Sequence, residues 1–141
     1  MDNPLLTRIL FATDFSDDAA HAQEYAMYLA TACGATLDVL HVLEAPAWLN
    51  VEAAAIVVVE QARKDAADRL ELVRNHLAQS GIASTIRQVL GNPTEHICLA
   101  ARASGADLVV LGVQGRTNLV YGLIGSTAER VVKDGSCPVL T

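Results

Sequence analysis

Ala106-Asp107-Leu108-Val109-Val110-Leu111-Gly112 is the stretch of this chain that decides its fold. It is the most apolar strand candidate present, too short for a helix and rich in β-branched residues. Such a run, with no polar residue alternating through its middle, marks a strand covered on both faces, as the strands of parallel sheets are. Immediately upstream, Gly91-Asn92-Pro93-Thr94 is a helix-start signal. Asn92 can cap the first turn, and Pro93 at the first helical position gives up an N–H that has no partner there. That helix ends at Gly105, so a helix feeds directly into a buried strand.

The same alternation extends outward in both directions. Ala83 to Leu90 places Ile86 and the aliphatic Val89 or Leu90 among polar residues, as a half-exposed outer strand does. Before it, Val51 to Ser80 is helical in pattern, with Ala62, Ala66, Leu70, Val73 and Leu77 on one stripe and Gly81 at the stop. Its opening, Ala53 to Val59, fits either a buried first part of that helix or a brief β-prone stretch; the helix is the reading adopted. Nearer the start, Arg8-Ile-Leu-Phe-Ala-Thr13 is a short apolar run ending at Asp14, with Ser16 as the expected N-cap of the next helix. Ala22, Tyr25, Ala26, Leu29, Ala30 and Cys33 recur at helical steps, Gly34 closes that helix, and Ala35 to Val42 is a second strand. Beyond Gly112, Ser126 to Val132 opens a last helix and Cys137 to Thr141 a last strand. Five strands alternating with four helices predict an α/β fold: a twisted, open parallel sheet, helices on both faces, each crossover right-handed.

At 141 residues, one domain over 1–141 is expected. Hydrophobic residues make up 52% and charged ones 18%, the profile of a packed rather than a disordered chain. Ten Lys and Arg against sixteen Asp and Glu leave a net charge of −6, which argues against nucleic acid as a partner. Cys33, Cys98 and Cys137 are widely spaced and odd in number, so they read as buried thiols in a reducing compartment rather than a disulfide framework or a zinc site. The first residues lack a basic segment followed by an apolar one, and the longest apolar run, Ala53 to Val59, is far below the roughly 18 residues of a membrane span. A cytoplasmic protein without a membrane partner is the expectation.

In an open parallel sheet, ligands sit beyond the carboxyl ends of the strands where the strand order reverses. That rule selects the end of the first strand, at Thr13 and Asp14, and the end of the fourth, at Gly112. From Gly112 the chain runs through Gly115, Arg116, Gly122 and Gly125 to Ser126 at a helix start. Glycines let backbone N–H groups approach a phosphate chain, and the helix adds unpaired donors and the positive end of its dipole. The competing reading is structural: a turn at Gly112 and Gly115, with Ser126 and Glu129 forming a capping box. Neither a Walker loop nor a GxGxxG fingerprint is present.

Gly112-x-x-Gly115, nine residues, then Gly125-Ser126 resembles the G-2x-G-9x-G-(S/T) signature of ATP-binding universal stress proteins. The likeness extends over nearly the whole chain, through Ile9 to Ser16, His41-Val42, Gly91-Asn-Pro, Ala106 to Gly112 and Cys137-Pro-Val. The resemblance implies a Rossmann-like, adenine nucleotide α-hydrolase-like fold with strand order 3-2-1-4-5. It implies ATP, or AMP or ADP, as ligand, with Mg2+ or Mn2+ as a candidate companion. By similarity, the Val42 backbone meets the adenine edge, and Ala12, Thr13 and Asp14 line the nucleoside. Gly112 and Gly115 lie along ribose and phosphates, while Gly125, Ser126 and Thr127 supply donors to the outer phosphates. Arg116 is the one cation in the glycine segment and a candidate partner for phosphate. His41 points, by strand alternation, away from Val42 and is expected to be packed or hydrogen-bonded. A homodimer through the last strand is also implied. Three functions follow for comparison: a nucleotide-binding stress-response module, a slow ATPase or adenylate-transfer enzyme, and a partner-binding member without nucleotide. No evident general base stands beside the last phosphate, and the intact glycines argue against the third.

Overall fold

In a computed structural model, which describes residues 5–44, 53–113 and 125–141, strand β1 (Arg8–Ala12) is the middle of five. β2 (Thr36–Leu43) and β3 (Ser84–Leu90) extend the sheet to one side, β4 (Leu108–Leu111) and β5 (Val139–Leu140) to the other. The order is β3-β2-β1-β4-β5 and every pairing is parallel. The crossovers carry α1 (Asp17–Cys33), α2 (Ala53–Gln79), α3 (Pro93–Ser104) and α4 (Ser126–Asp134). The chain builds outward from β1 to β3 and then returns to the other side of β1, so the order reverses between β1 and β4.

Alternate residues of each strand serve two cores. Ile9, Phe11, Leu37, Val39 and Val110 pack against Ala22, Ala26 and Ala30 of α1 and Leu70 and Leu77 of α2. Leu10, Leu40, Val109 and Leu111 pack against Ile97 and Ala101 of α3 and Ala128 and Val131 of α4. This two-sided demand is why β4 reads as an unbroken apolar run, each large side chain contributing about 1.5–3 kcal/mol on burial. β3, at the edge, alternates as expected.

Helix boundaries follow local chemistry. Ser16 caps α1, its Oγ accepting from Ala19 N–H at 3.1 Å; Asn92 caps α3 through Glu95 N–H at 3.1 Å. Gly34 and Gly105 close those helices in left-handed backbone, φ 65° and 67°.

The structure departs from the sequence-based expectation at three places, two in burial and one in strand length. Ala53 to Val59 belongs to a helix, yet Ile56, Val57 and Val58 are exposed, because the buried residues of α2 lie in its later turns at Ala66, Leu70 and Leu77. Tyr25 shares the apolar stripe of α1 but is 65% exposed; small alanines let that helix sit close to the sheet, and Ala19 and Met27 complete its buried side. The last strand is only Val139–Leu140, since Pro138 has no N–H to give; its carbonyl still accepts from Val109 N–H at 3.0 Å.

The amino ends of the strands are tied by carboxylates. Asp38, nearly buried, accepts from Arg8 Nη1 at 3.0 and 3.2 Å and from Thr85 Oγ1 at 2.6 Å. Asp107 accepts from Thr7 N–H, the Thr7 hydroxyl and Arg8 N–H at 2.8, 2.9 and 3.0 Å. The Thr7 amide, then its hydroxyl, then the Arg8 amide hold the Asp107 carboxyl below the usual range.

Candidate functional site

At the carboxyl end of β1 the chain turns sharply through side-chain hydrogen bonds. Thr13 N–H still donates to Leu40 O at 2.9 Å. Then Thr13 Oγ1 accepts from Phe15 N–H at 3.1 Å, and Asp14 Oδ1 accepts from Ser16 N–H at 3.0 Å. Thr and Asp favour such local turns, and here they permit Phe15 to adopt φ 63°. The loop thereby folds over His41. Its imidazole, buried to 6% exposure, donates Nδ1–H to Thr13 O at 2.8 Å and lies 4.5 Å from the Phe15 ring centroid. The Arg69 guanidinium stands 5.6 Å above Phe15. His41 is thus packed and hydrogen-bonded, as strand alternation predicted.

At the carboxyl end of β4, Gly112 is pressed against the first turn of α1. A Cβ there would lie 3.0 Å from Ala19 N and from the Asp18 carbonyl carbon, and 3.1 Å from Asp18 Oδ2. The close approach lets Val113 N–H donate to the Asp18 carboxylate, while Val113 O accepts from Gly125 N–H. Val113 therefore joins three elements: the start of α1, the end of β4 and the start of α4.

Gly125, extended at φ −62° and ψ 153°, is the N-cap of α4 and brings no side chain to cap it. Ser126 and Thr127 occupy the first turn. Ser126 and Glu129 do not form a capping box: Ser126 sits inside the helix rather than at its cap, and the Glu129 carboxylate pairs with Lys133 at 3.1 Å. The start of α4, with Ser126 and Thr127 in its first turn, is thereby tied to the end of β4, beside the point where strand order reverses.

Among the sequence-predicted residues, Ala12 neighbours Leu111 across the β1–β4 pairing, so Thr13 and Asp14 follow on beside Gly112. Gly125, Ser126 and Thr127 are brought to the same mouth through Val113. Val42 lies one strand further, paired with Val89 of β3. Gly115, Arg116 and Gly122 lie outside the described residues. Nothing in the sequence alone distinguishes Asp18, because an acidic residue in a first turn ordinarily reads as a helix-dipole partner. Among the described residues, no group of three or more His, Cys, Asp or Glu side chains is arranged to hold a metal, and no helix is long and apolar enough to cross a membrane.

A model of the universal stress protein family matches residues 6–141. The chain belongs to that family. A universal stress protein of Thermus aquaticus is 36% identical over 135 residues, covering 94% of this chain and 95% of that one. The solved structure of MJ0577, a universal stress protein of Methanocaldococcus jannaschii, superposes with a TM-score of 0.88 at 29% identity, covering 96% and 94% of the two chains. A universal stress protein of Arabidopsis thaliana, solved with AMP bound, shares the fold at a TM-score of 0.68 and 20% identity, covering 96% and 90%.

Proposed function

We propose that this universal stress protein binds an adenine nucleotide, ATP first and ADP or AMP next, and acts as a stress-response or signalling module. The observation that carries the reading is the start of α4: a helix N-terminus whose N-cap, Gly125, brings no side chain, followed by Ser126 and Thr127, at the reversal of strand order. Backbone donors and a helix dipole at that place suit a phosphate chain. Thr13 and Asp14, on the adjoining strand end, would line the nucleoside together with Ala12, and the Val42 backbone would meet the base. Asp14 is the candidate to meet a ribose hydroxyl or to hold Mg2+ or Mn2+ against the phosphates; one of its oxygens already serves the turn. Gly115 and Arg116 would complete the phosphate contacts. The bare Cα of Gly112 has a packing reason of its own, so its lack of a side chain is weaker support than that of Gly125.

The module needs binding and a change of loop order, and no catalytic group. A cytoplasmic homodimer paired through β5, an edge strand with Leu140 partly exposed, is part of the same proposal.

Titration calorimetry with ATP, ADP, AMP and adenosine, and mass spectrometry of any small molecule that copurifies, test the reading. ATP heat that disappears in Gly125→Val, with the melting temperature unchanged, is the expected result. Absence of heat with every adenine compound would overturn it, and steady multiple turnover of ATP with magnesium would move the assignment to an enzyme.

A further inference from the structure

We infer that His41 is a positioning residue for the base: by holding the carbonyl of Thr13 it keeps the Val42 N–H out of the sheet ladder and turned to the ligand. The inference rests on the nucleotide reading above and adds to it the device that opens the adenine edge.

In a parallel ladder, alternate residues of a strand turn their backbone groups to opposite neighbours. Thr36 N–H donates to Thr7 O at 2.9 Å and Leu40 O accepts from Thr13 N–H at 2.9 Å, so even-numbered residues of β2 face β1. Leu37 N–H donates to Ala83 O and Leu43 O accepts from Gly91 N–H, both at 2.9 Å, so odd-numbered ones face β3. Val42 therefore faces the β1 side, at the level where β1 has given way to the Thr13–Ser16 turn. The next rung would run from Val42 N–H to Thr13 O. Among the backbone hydrogen bonds of the described residues that rung is not made. Thr13 O instead accepts from His41 Nδ1–H at 2.8 Å.

The ring is well placed to win the carbonyl. His41 follows Leu37 and Val39 on the face covered by α1 and α2, so its pull draws Thr13 O out of the plane of the ladder. Phe15, 4.5 Å away and itself under Arg69, covers the ring, and burial makes this hydrogen bond costly to give up. What remains is a Val42 N–H on the β1 side of β2, at the carboxyl end of the strands, with no backbone partner among the described residues. An adenine edge offers a ring-nitrogen acceptor beside an amino donor, the chemistry such a backbone edge recognises.

The test compares His41→Phe, which keeps an aromatic ring against Phe15 but has no donor, with His41→Asn, whose amide nitrogen falls near the position of Nδ1. Calorimetry is run with ATP, adenosine and inorganic tripolyphosphate, and Val42 amide exchange is followed by NMR in the ligand-free protein. His41→Phe should weaken ATP and adenosine alike by about ten-fold, the loss of one well-placed hydrogen bond, and leave tripolyphosphate unchanged. His41→Asn should recover most of the affinity. In wild type the Val42 amide should exchange faster than that of Leu40, and become protected in His41→Phe as the rung closes. Unchanged adenosine affinity in His41→Phe, equal loss of tripolyphosphate, or no recovery in a stably folded His41→Asn would each overturn the inference. Should His41→Phe not fold, a protected Val42 amide in the wild type overturns it as well. If the wild type binds no adenine compound, the proposed function falls, and the Val42 exchange rates still report whether His41 holds the rung open.

Discussion

Replacing Gly112 with alanine separates two reasons for a glycine at the end of β4. The added Cβ would stand 3.0 Å from Ala19 N and the Asp18 carbonyl carbon and 3.1 Å from Asp18 Oδ2. Comfortable contact begins some tenths of an ångström further out, and the two nearest atoms are backbone of a helix turn fixed by the Ser16 cap. They cannot swing aside as a side-chain tip can, so β4 and α1 must part. Overpacking of this kind costs about 1–3 kcal/mol. The separation would also stretch the Val113 N–H to Asp18 hydrogen bond, adding about 1 kcal/mol at most. With a urea m-value of about 1–3 kcal/mol/M for small proteins, Gly112→Ala should lower the unfolding midpoint by about 1 M. Urea unfolding followed by circular dichroism reads this directly, with ATP calorimetry on the same sample. A midpoint equal to wild type, with ATP affinity lost, would refute the packing argument and assign Gly112 to ligand approach.

Asp18→Asn keeps an acceptor for Val113 N–H while removing a negative charge near the start of α4. ATP affinity should tighten a few-fold more than adenosine affinity, and the gain should shrink in high salt; identical affinities for both ligands would contradict this electrostatic role. Asp38→Ala leaves the Thr85 hydroxyl and the Arg8 guanidinium without their shared acceptor. Because the Arg8 side chain is 39% exposed and can turn to water, the expected cost is about 1–3 kcal/mol in urea unfolding rather than the larger loss seen when a fully buried pair is broken. Asp107 carries a lowered folded-state pKa, so its contribution is fully present above the unfolded-state value and is lost as pH falls through the folded-state one. Asp107→Asn should be less stable at neutral pH and show a flatter loss of stability on acidification; parallel pH profiles for the two proteins would show that the Thr7 and Arg8 contacts do not act through the carboxylate charge. Burial raises the thiols of Cys98 and Cys137, so unfolding should become easier once pH passes the ordinary thiol range, and replacing both by alanine should remove that alkaline decline in thermal melts.

The order of strands and helices, the caps at Ser16 and Asn92, and the stops at Gly34 and Gly105 could all be read along the chain. Each depends on residues within a few positions of one another, through backbone preference and local hydrogen bonding. The double-sided burial of β4 was equally legible, because a strand covered on both faces leaves no room for polar alternation. Placing the candidate site at Thr13, Asp14 and Gly112 needed only the topology rule and the glycines.

Tertiary structure alone decided the rest. The exposure of Ile56 to Val58 depends on where α2 meets the sheet, and the exposure of Tyr25 on how close small alanines let α1 approach. The demand for glycine at position 112 comes from α1 backbone more than ninety residues earlier in the sequence. Likewise Asp18 at Val113 and His41 at Thr13 are partnerships between residues 95 and 28 positions apart. Local sequence sets which elements form, because propensity and capping act over a turn or two; which atoms meet at the mouth of the crevice is set only when the crossovers close and distant backbone is brought into contact.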